Sequence, residues 1–251
     1  MVTNSFYYFS SIIDKQTCQK IIDLGLSEME KLKSQNKRID AWVGAERDKF
    51  THPTAIPKNE LTTQQLKEKN LTENDVYVRD SQICWLDYDW LYEIIQSHIF
   101  KANELAGWNF DIDYSEVPQF TTYKNTGFYG WHKDGEGDWN AVYKNYIHGI
   151  TEQKLKKDGT LPYGYTSNKN LIGKVRKLSF TLNLTEPESY EGGNLMFDFG
   201  DHSENKFYEC KEIRPQGSIV VFPSFVQHCV TPVTKGTRFS LVNWMCGRPF
   251  K

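Results

Sequence analysis

In the stretch YKNTGFYGWHKD, His132 and Asp134 stand two residues apart, so on a strand both side chains project from one face and can bind one ion. A third ligand must come from elsewhere. His228, in SFVQHCVTP, lies far downstream on another predicted strand, and two histidines with one carboxylate make the facial triad of non-haem Fe(II) centres. Three coordination positions then stay open for a bidentate cosubstrate and O2. The bland alternative is a surface histidine beside a solvated aspartate. Arg238 follows His228 across a turn that holds Lys235 and Gly236, and a hairpin with an odd-numbered loop puts both on one side. On that second strand Arg238, Ser240, Val242 and Trp244 alternate onto one face, where a guanidinium and a hydroxyl can grip a carboxylate several ångströms from the metal. A 2-oxo diacid would bridge that gap.

These residues need a rigid frame, and hydrophobic periodicity divides the chain near residue 110 into a helical first part and a strand-rich remainder. From Asp14, a plausible N-cap, Cys18, Ile21, Ile22, Leu26, Met29 and Leu32 recur at helical spacing. Residues 88–106 carry a second stripe through Leu91, Ile94, Ile95, Ile99, Ala102 and Leu105. Residues 44–75 are polar and read as a long surface excursion with a short helix at most. Strands are expected at 117–124, 128–133, 177–185, 194–199, 206–213, 218–223, 226–232 and 237–246. That succession predicts a mainly β fold with supporting helices, its core a double-stranded β-helix, or jelly roll, which hides its edges by folding two sheets face to face. The whole of 1–251 is expected to form a single domain: helical support and surface excursion over 1–110, jelly-roll core over 111–251, and a long insertion at 135–176 of the kind that forms lids or substrate-binding elements.

Composition narrows the function further. Of 251 residues 39% are hydrophobic, enough for a core, and 30 basic against 32 acidic residues leave a net charge of −2, which disfavours nucleic acid and anionic membrane as partners. No apolar run approaches the roughly 20 residues of a membrane span. The N-terminus shows no basic region followed by an apolar stretch, and the five cysteines are scattered without a CxxC pair, so a reducing, cytoplasmic setting is expected.

From Tyr123 onward the chain resembles the prolyl 4-hydroxylase-type 2-oxoglutarate and Fe(II)-dependent dioxygenases, closest to their PKHD-type branch. Tyr123, Gly127, Tyr129 and His132-Lys-Asp134 resemble the family's Y-x-x-x-G-x-Y-x-x-H-x-D; LSFTLNLTEPESYEGGNL, 178–195, resembles its central strand, turn and GG segment; HCVTPVTKGTR, 228–238, resembles its distal-histidine block. The three blocks occur in the family's order and cover about half the chain, roughly 117–246. The resemblance implies that His132, Asp134 and His228 ligate iron and that Arg238 pairs with the distal carboxylate of 2-oxoglutarate, making these four the catalytic set. Tyr123 would hydrogen-bond the same cosubstrate, Asn183 falls where relatives often place a side chain facing it, and Ser240 sits two beyond the arginine. The implied cofactors are Fe(II), 2-oxoglutarate and O2, with ascorbate as an accessory. The implied reaction hydroxylates an unactivated C–H bond while 2-oxoglutarate becomes succinate and CO2. Asp134 favours hydroxylation, because halogenating relatives give that position to halide. A prolyl residue of a peptide or protein leads as substrate, with a free amino acid or other small molecule as the alternative. The insertion at 135–176 is longer than many relatives have there, and specificity lives in such loops.

A reading from another class is a non-catalytic jelly roll that holds a glycan or peptide on its many aromatic side chains. Tyr129 and Trp131 are expected to face away from the metal, and Trp244 to fill the barrel floor. His98, His148 and His202 read as helix-face or loop histidines, Gly192 and Gly193 as a turn or bulge, and Lys154, Lys156 and Lys157 as a solvated face.

Overall fold

The computed structural model describes residues 4–46, 75–136, 141–150, 164–200 and 207–250. In chain order the elements are β1 (Tyr7–Phe9), α1 (Lys15–Ser34), β2 (Asp40–Glu46), β3 (Asp75–Trp85), α2 (Asp89–Leu105), β4 (Tyr114–Ser115), β5 (Gln119–Lys124), β6 (Phe128–His132), β7 (Lys144–Asn145), β8 (Tyr165–Thr166), β9 (Val175–Asn183), β10 (Tyr190–Gly192), β11 (Leu195–Asp198), β12 (Tyr208–Glu209), β13 (Ile219–Pro223), β14 (Gln227–Val230) and β15 (Val233–Gly247).

One antiparallel sheet runs β1-β13-β9-β15-β5-β3-β6-β14-β11-β12, with β4 and β10 on β15 and β2 on β3. Five strands separate β13 from β14 along this path, yet the Phe222 ring of β13 lies 4.7 Å from the His228 ring of β14. A flat sheet cannot make that contact. The sheet therefore curls until its two halves face each other, which is the jelly roll the strand succession predicts.

The helices cover the outside of the larger half. Asp14 caps α1 by accepting from the Thr17 amide at 2.8 Å and the Thr17 hydroxyl at 2.7 Å, and the buried face is Cys18, Ile21, Ile22, Gly25 and Met29. Helix α2 buries Leu91, Ile95, Ile99 and Ala102. Both faces join Phe120, Leu178, Phe180, Leu182 and Leu241 in one core. On the other side of these strands Thr181, Arg238, Ser240, Val242 and Trp244 line a cavity between the two halves. Period-two alternation thus gives β9 and β15 an apolar back and a polar front.

Two expectations need correction, and a third lies largely outside the described residues. The first 110 residues supply strands as well as helices: β3 bridges β5 and β6 in the middle of the sheet, and β2 pairs along its outer portion. The expected excursion and short helix at 44–75 lie outside the described residues except for the ends of β2 and β3. The strand expected over 206–213 is only the two residues of β12 followed by a 3-10 turn at Lys211–Ile213, where the chain turns so that the Arg214 guanidinium can donate to the carbonyls of Pro187, Tyr190 and Gly192.

Helix α1 approaches the sheet closely because Gly25 has no side chain: a Cβ there would overlap the fully buried Phe120 ring. Gly25→Ala should therefore lower stability by about 1–3 kcal/mol despite a gain of roughly 1 kcal/mol in helix propensity. Urea unfolding checks this, and a net stabilisation would contradict the close packing.

Candidate metal centre

His132 ends β6 and His228 sits on β14, and the ladder between these strands pairs the two histidines directly. Asp134 lies just past β6, where its amide and that of Gly135 each donate to the Ser224 carbonyl at 3.0 Å. This clamp turns the carboxylate inward. Among the described residues His132, Asp134 and His228 form the group that can hold a metal, their ligand atoms all within 4.8 Å of one another. Asp134 Oδ1 is 3.6 Å from His132 Nε2, and Oδ2 is 3.5 Å from His228 Nε2.

The protonation states suit a cation. His132 Nδ1 lies 2.8 Å from the Gly130 carbonyl and His228 Nδ1 2.9 Å from the Val226 carbonyl, so each Nδ1 carries the proton and each Nε2 presents a lone pair. Burial, reinforced by the neighbouring His132, lowers His228 to about 4, which keeps its imidazole neutral near pH 7. Burial alone would raise the Asp134 carboxyl, but His228, His132 and Arg176 together hold it well below the usual carboxylate range. Two imidazoles and one carboxylate are the donor set Fe(II) takes in facial-triad centres, so the residues present fit that ion.

Arg238 lines the same cavity. It is 2% exposed, and its guanidinium, with the Tyr123 ring 5.7 Å away, makes no hydrogen bond or ion pair among the described residues. Its stem passes Gly193, whose φ of +63° turns the chain there and where a Cβ would stand 2.9 Å from Arg238 Cδ. A buried guanidinium without a partner is costly, and an anion entering the cavity relieves that cost. Tyr123 and Ser240 also line the space. Asn183 does not join them. It lies on the same face of β9 as Thr181 but at the strand's end, where its amide donates to the carbonyls of Thr185 and Arg214 at 3.0 and 2.8 Å. Thr181, two residues earlier, faces the cavity instead.

Tyr129 also departs from expectation. Between His132 and Tyr129 the β6 ladder slips by one residue against β14, and this bulge brings the Tyr129 ring onto the His132 ring, centroids 3.5 Å apart at 15°. Trp131 does face away, with its ring 4.7 Å from Phe207. Arg79 of β3 lies over the other side of Tyr129, 4.6 Å from its centroid, and donates to Ser81 Oγ at 2.8 Å and Gln119 Oε1 at 2.9 Å. Trp244 lines the cavity, and its Nε1 is buried without a hydrogen-bond partner among the described residues. The Arg176 guanidinium stacks 4.0 Å over Trp244 and is held by both oxygens of Glu116 at 2.6 and 2.7 Å. His98 is a helix-face histidine, its Nδ1 2.7 Å from the Ile94 carbonyl; His148 is exposed; His202, Lys154, Lys156 and Lys157 lie outside the described residues.

Sequence reasoning missed Arg79, Glu116, Gln119, Arg176, Ser179, Thr181 and Ser224. The signal available was polarity within strand-like runs: an arginine in DVYVRDSQICW and a serine and threonine in VRKLSFTLN stand where apolar residues are expected.

The family model for the 2OG-Fe(II) oxygenase superfamily matches residues 118–246, just over half of the chain. The chain belongs to this superfamily. A PKHD-type hydroxylase of Synechococcus sp. (strain CC9605) is 45% identical over 71 residues, 28% of this chain and 29% of that protein. The PKHD-type hydroxylase YbiX of Escherichia coli O6:K15:H31 is 33% identical over 131 residues, 51% of this chain and 42% of its own length. The chain thus spans less than half the length of these curated relatives. The viral collagen prolyl hydroxylase of Paramecium bursaria Chlorella virus-1, in its 2OG complex, shares the fold at a TM-score of 0.53 and 15% identity, with 97% of each chain covered. A Trichoplax adhaerens prolyl hydroxylase bound to a hypoxia inducible factor peptide fragment does so at 0.53 and 14%, covering 97% of this chain and 84% of that one.

The neutral burial of His228 has a consequence for stability. Its folded pKa of about 4 lies below the roughly 6.5 of an unfolded histidine, so the unfolded chain takes up the proton first and the contribution present above pH 6.5 is lost as pH falls toward 4. The melting temperature of the chelator-treated chain should drop across that window, and His228→Gln should flatten the drop. An equally steep fall in the variant would assign it to other groups.

Proposed function

We propose that this chain is a 2-oxoglutarate- and Fe(II)-dependent dioxygenase that hydroxylates an unactivated C–H bond of a peptidyl proline. The observation that carries the reading is one cavity in which a convergent His132, Asp134, His228 donor set faces the buried, unpartnered guanidinium of Arg238. Bound iron supplies the activation of O2 coupled to oxidative decarboxylation, so that substrate, O2 and 2-oxoglutarate give hydroxylated substrate, succinate and CO2. The protein's part is placement. Asp134 and the two imidazoles hold the ion, Arg238 anchors the distal carboxylate of the cosubstrate, and Tyr123 and Ser240 offer hydroxyls along its length. The apolar lining of Phe180, Leu195, Phe222 and Val230 keeps bulk water from the reacting centre. Trp244 supplies an aromatic surface that suits a pyrrolidine ring, in keeping with relatives that are PKHD-type hydroxylases and neighbours that are prolyl hydroxylases. All five cysteines are buried free thiols, which accords with a reducing, cytoplasmic setting.

A specific observation favours the free amino acid as a second reading. Arg79 lines the cavity with Ser81 and Gln119 as its hydrogen-bond acceptors and no carboxylate partner among the described residues. Its remaining N–H groups are donors only, so they suit a substrate that carries a carboxylate next to the reacting carbon.

Anaerobic addition of Fe(II) and 2-oxoglutarate should produce a weak visible charge-transfer band in the wild type and none in His132→Ala. No band in the wild type would sink the enzyme reading and leave the binding-protein alternative. Arg238→Ala should raise the 2-oxoglutarate requirement at least tenfold while Mn(II) affinity stays within about twofold, because it removes a charge partner and no ligand; equal loss of both would refute that division of labour. For the substrate, mass spectrometry of aerobic reactions containing ascorbate should find a +16 Da product, the mass of one oxygen atom. Proline-rich peptides and N-acetylproline amide as productive substrates support the peptidyl reading, whereas turnover of free proline or N-acetylproline but not the amide transfers the assignment to the carboxylate-bearing small molecule.

A further inference from the structure

Asp134 is held by more than its backbone clamp. Ser179 of β9 lies 2.7 Å from Asp134 Oδ2, and its hydroxyl is 2.9 Å from that of Ser224. Both serines are completely buried. An ionised carboxylate only accepts, so the Ser179 proton must point at Asp134, and the Ser179 oxygen is then the acceptor for the Ser224 proton. The hydrogen bonds form a chain of fixed polarity, Ser224 to Ser179 to Asp134, in which each bond polarises the next.

We propose that Ser179 and Ser224 form a two-hydroxyl relay that positions Asp134 as a one-oxygen metal ligand. The proposal rests on the ligation by Asp134 proposed above. With Oδ2 engaged by Ser179, Oδ1 is the oxygen left without a hydroxyl partner, and the carboxylate is discouraged from chelating through both atoms and occupying a position a cosubstrate needs. The relay is anchored at both ends. Ser179 is paired to Phe222 on one side and Trp244 on the other, both of which line the cavity, so its backbone is clamped between β13 and β15. Ser224 follows β13 directly, accepts the Asp134 and Gly135 amides on its carbonyl, and donates its own amide to Lys177 at 2.9 Å. The residue that fixes the Asp134 main chain therefore also orders the hydroxyl that fixes its side chain. Outer partners of this kind typically change metal affinity about 10- to 100-fold.

The test is Mn(II) binding to the full chain, read by electron paramagnetic resonance, with Co(II) visible absorption as a report on coordination. Ser179→Ala should weaken Mn(II) about tenfold and shift the Co(II) bands, because the freed oxygen can join the coordination sphere; Ser179→Thr, which keeps the hydroxyl, should restore both to within about threefold. Ser224→Ala leaves the last donor in place and should cost less than Ser179→Ala. Circular dichroism melts identify folded variants. A folded Ser179→Ala with wild-type affinity and spectrum overturns the relay, as does a folded Ser179→Thr that is no better than the alanine. If Ser179→Ala does not fold, unchanged Mn(II) affinity in Ser224→Ala overturns it. A wild type that binds no metal is a separate result that removes the dioxygenase reading along with the relay, whereas a wild type that binds metal and turns over 2-oxoglutarate beside an indifferent Ser179→Ala removes the relay alone.

Discussion

The pairing of His228 with His132 across the β6/β14 ladder is the constraint on which the rest of the centre depends. Two imidazoles on adjacent antiparallel strands are side by side only in one register, and a slip of one residue would send one of them to the opposite face. Everything else adjusts to that register. Asp134 need only leave β6 and be caught by the Ser224 carbonyl to complete a three-point donor set. The same ladder contains the bulge that lays Tyr129 over His132 and brings Arg79 onto the far side of Tyr129, so the irregularity shapes the cavity wall without disturbing the histidine pair.

Two buried guanidiniums show how differently the fold treats charge. Arg176 has both oxygens of Glu116, the face of Trp244 and a buried setting in which burial alone would lower its pKa but Glu116 keeps it charged. That pair is internally complete and braces the cavity wall. Arg238 has an aromatic neighbour, Tyr123, 5.7 Å away and no carboxylate. A buried cation left without its counter-ion is destabilising in the free protein, which makes a carboxylate-bearing ligand the natural complement of the site. The metal end has the opposite character, with lone pairs on neutral nitrogens and an anionic oxygen. The cavity therefore suits a cation at one end and an anion at the other.

Much of this was legible along the chain. Helical stripes after Asp14 and after Tyr88, the alternation of Arg238, Ser240, Val242 and Trp244, and the His132/Asp134 pair follow from residue type and short-range spacing, the family resemblance adds His228 and Tyr123, and the structure brings His132, Asp134, His228, Tyr123, Arg238 and Ser240 to one cavity. The failures share a cause. Asn183, placed by the family resemblance, has the right face but the wrong depth, because it sits at the end of β9 with its amide on the carbonyls of Thr185 and Arg214. Tyr129 had the right strand but the wrong side, because a bulge breaks the alternation that was counted. Strand β3 was hidden by its many polar residues, and its Arg79, which lines the cavity, was hidden with it.

Residue types and local periodicity by themselves determined a histidine and an aspartate on one strand face, an arginine two positions before a serine on another, and a β-rich core braced by two amphipathic helices, while the family resemblance added the distant His228 to the first pair. These are matters of bonding capacity and of periods two and 3.6, which act over a few residues. Only the tertiary structure decided which hydroxyls hold Asp134, which arginine is neutralised and which is left for a ligand, and which rings wall the cavity. Those contacts join Ser179 to Asp134, Arg176 to Glu116 and Arg79 to Tyr129 across tens of residues, and they exist only because the sheet curls and bulges to bring distant strands within hydrogen-bond and stacking reach.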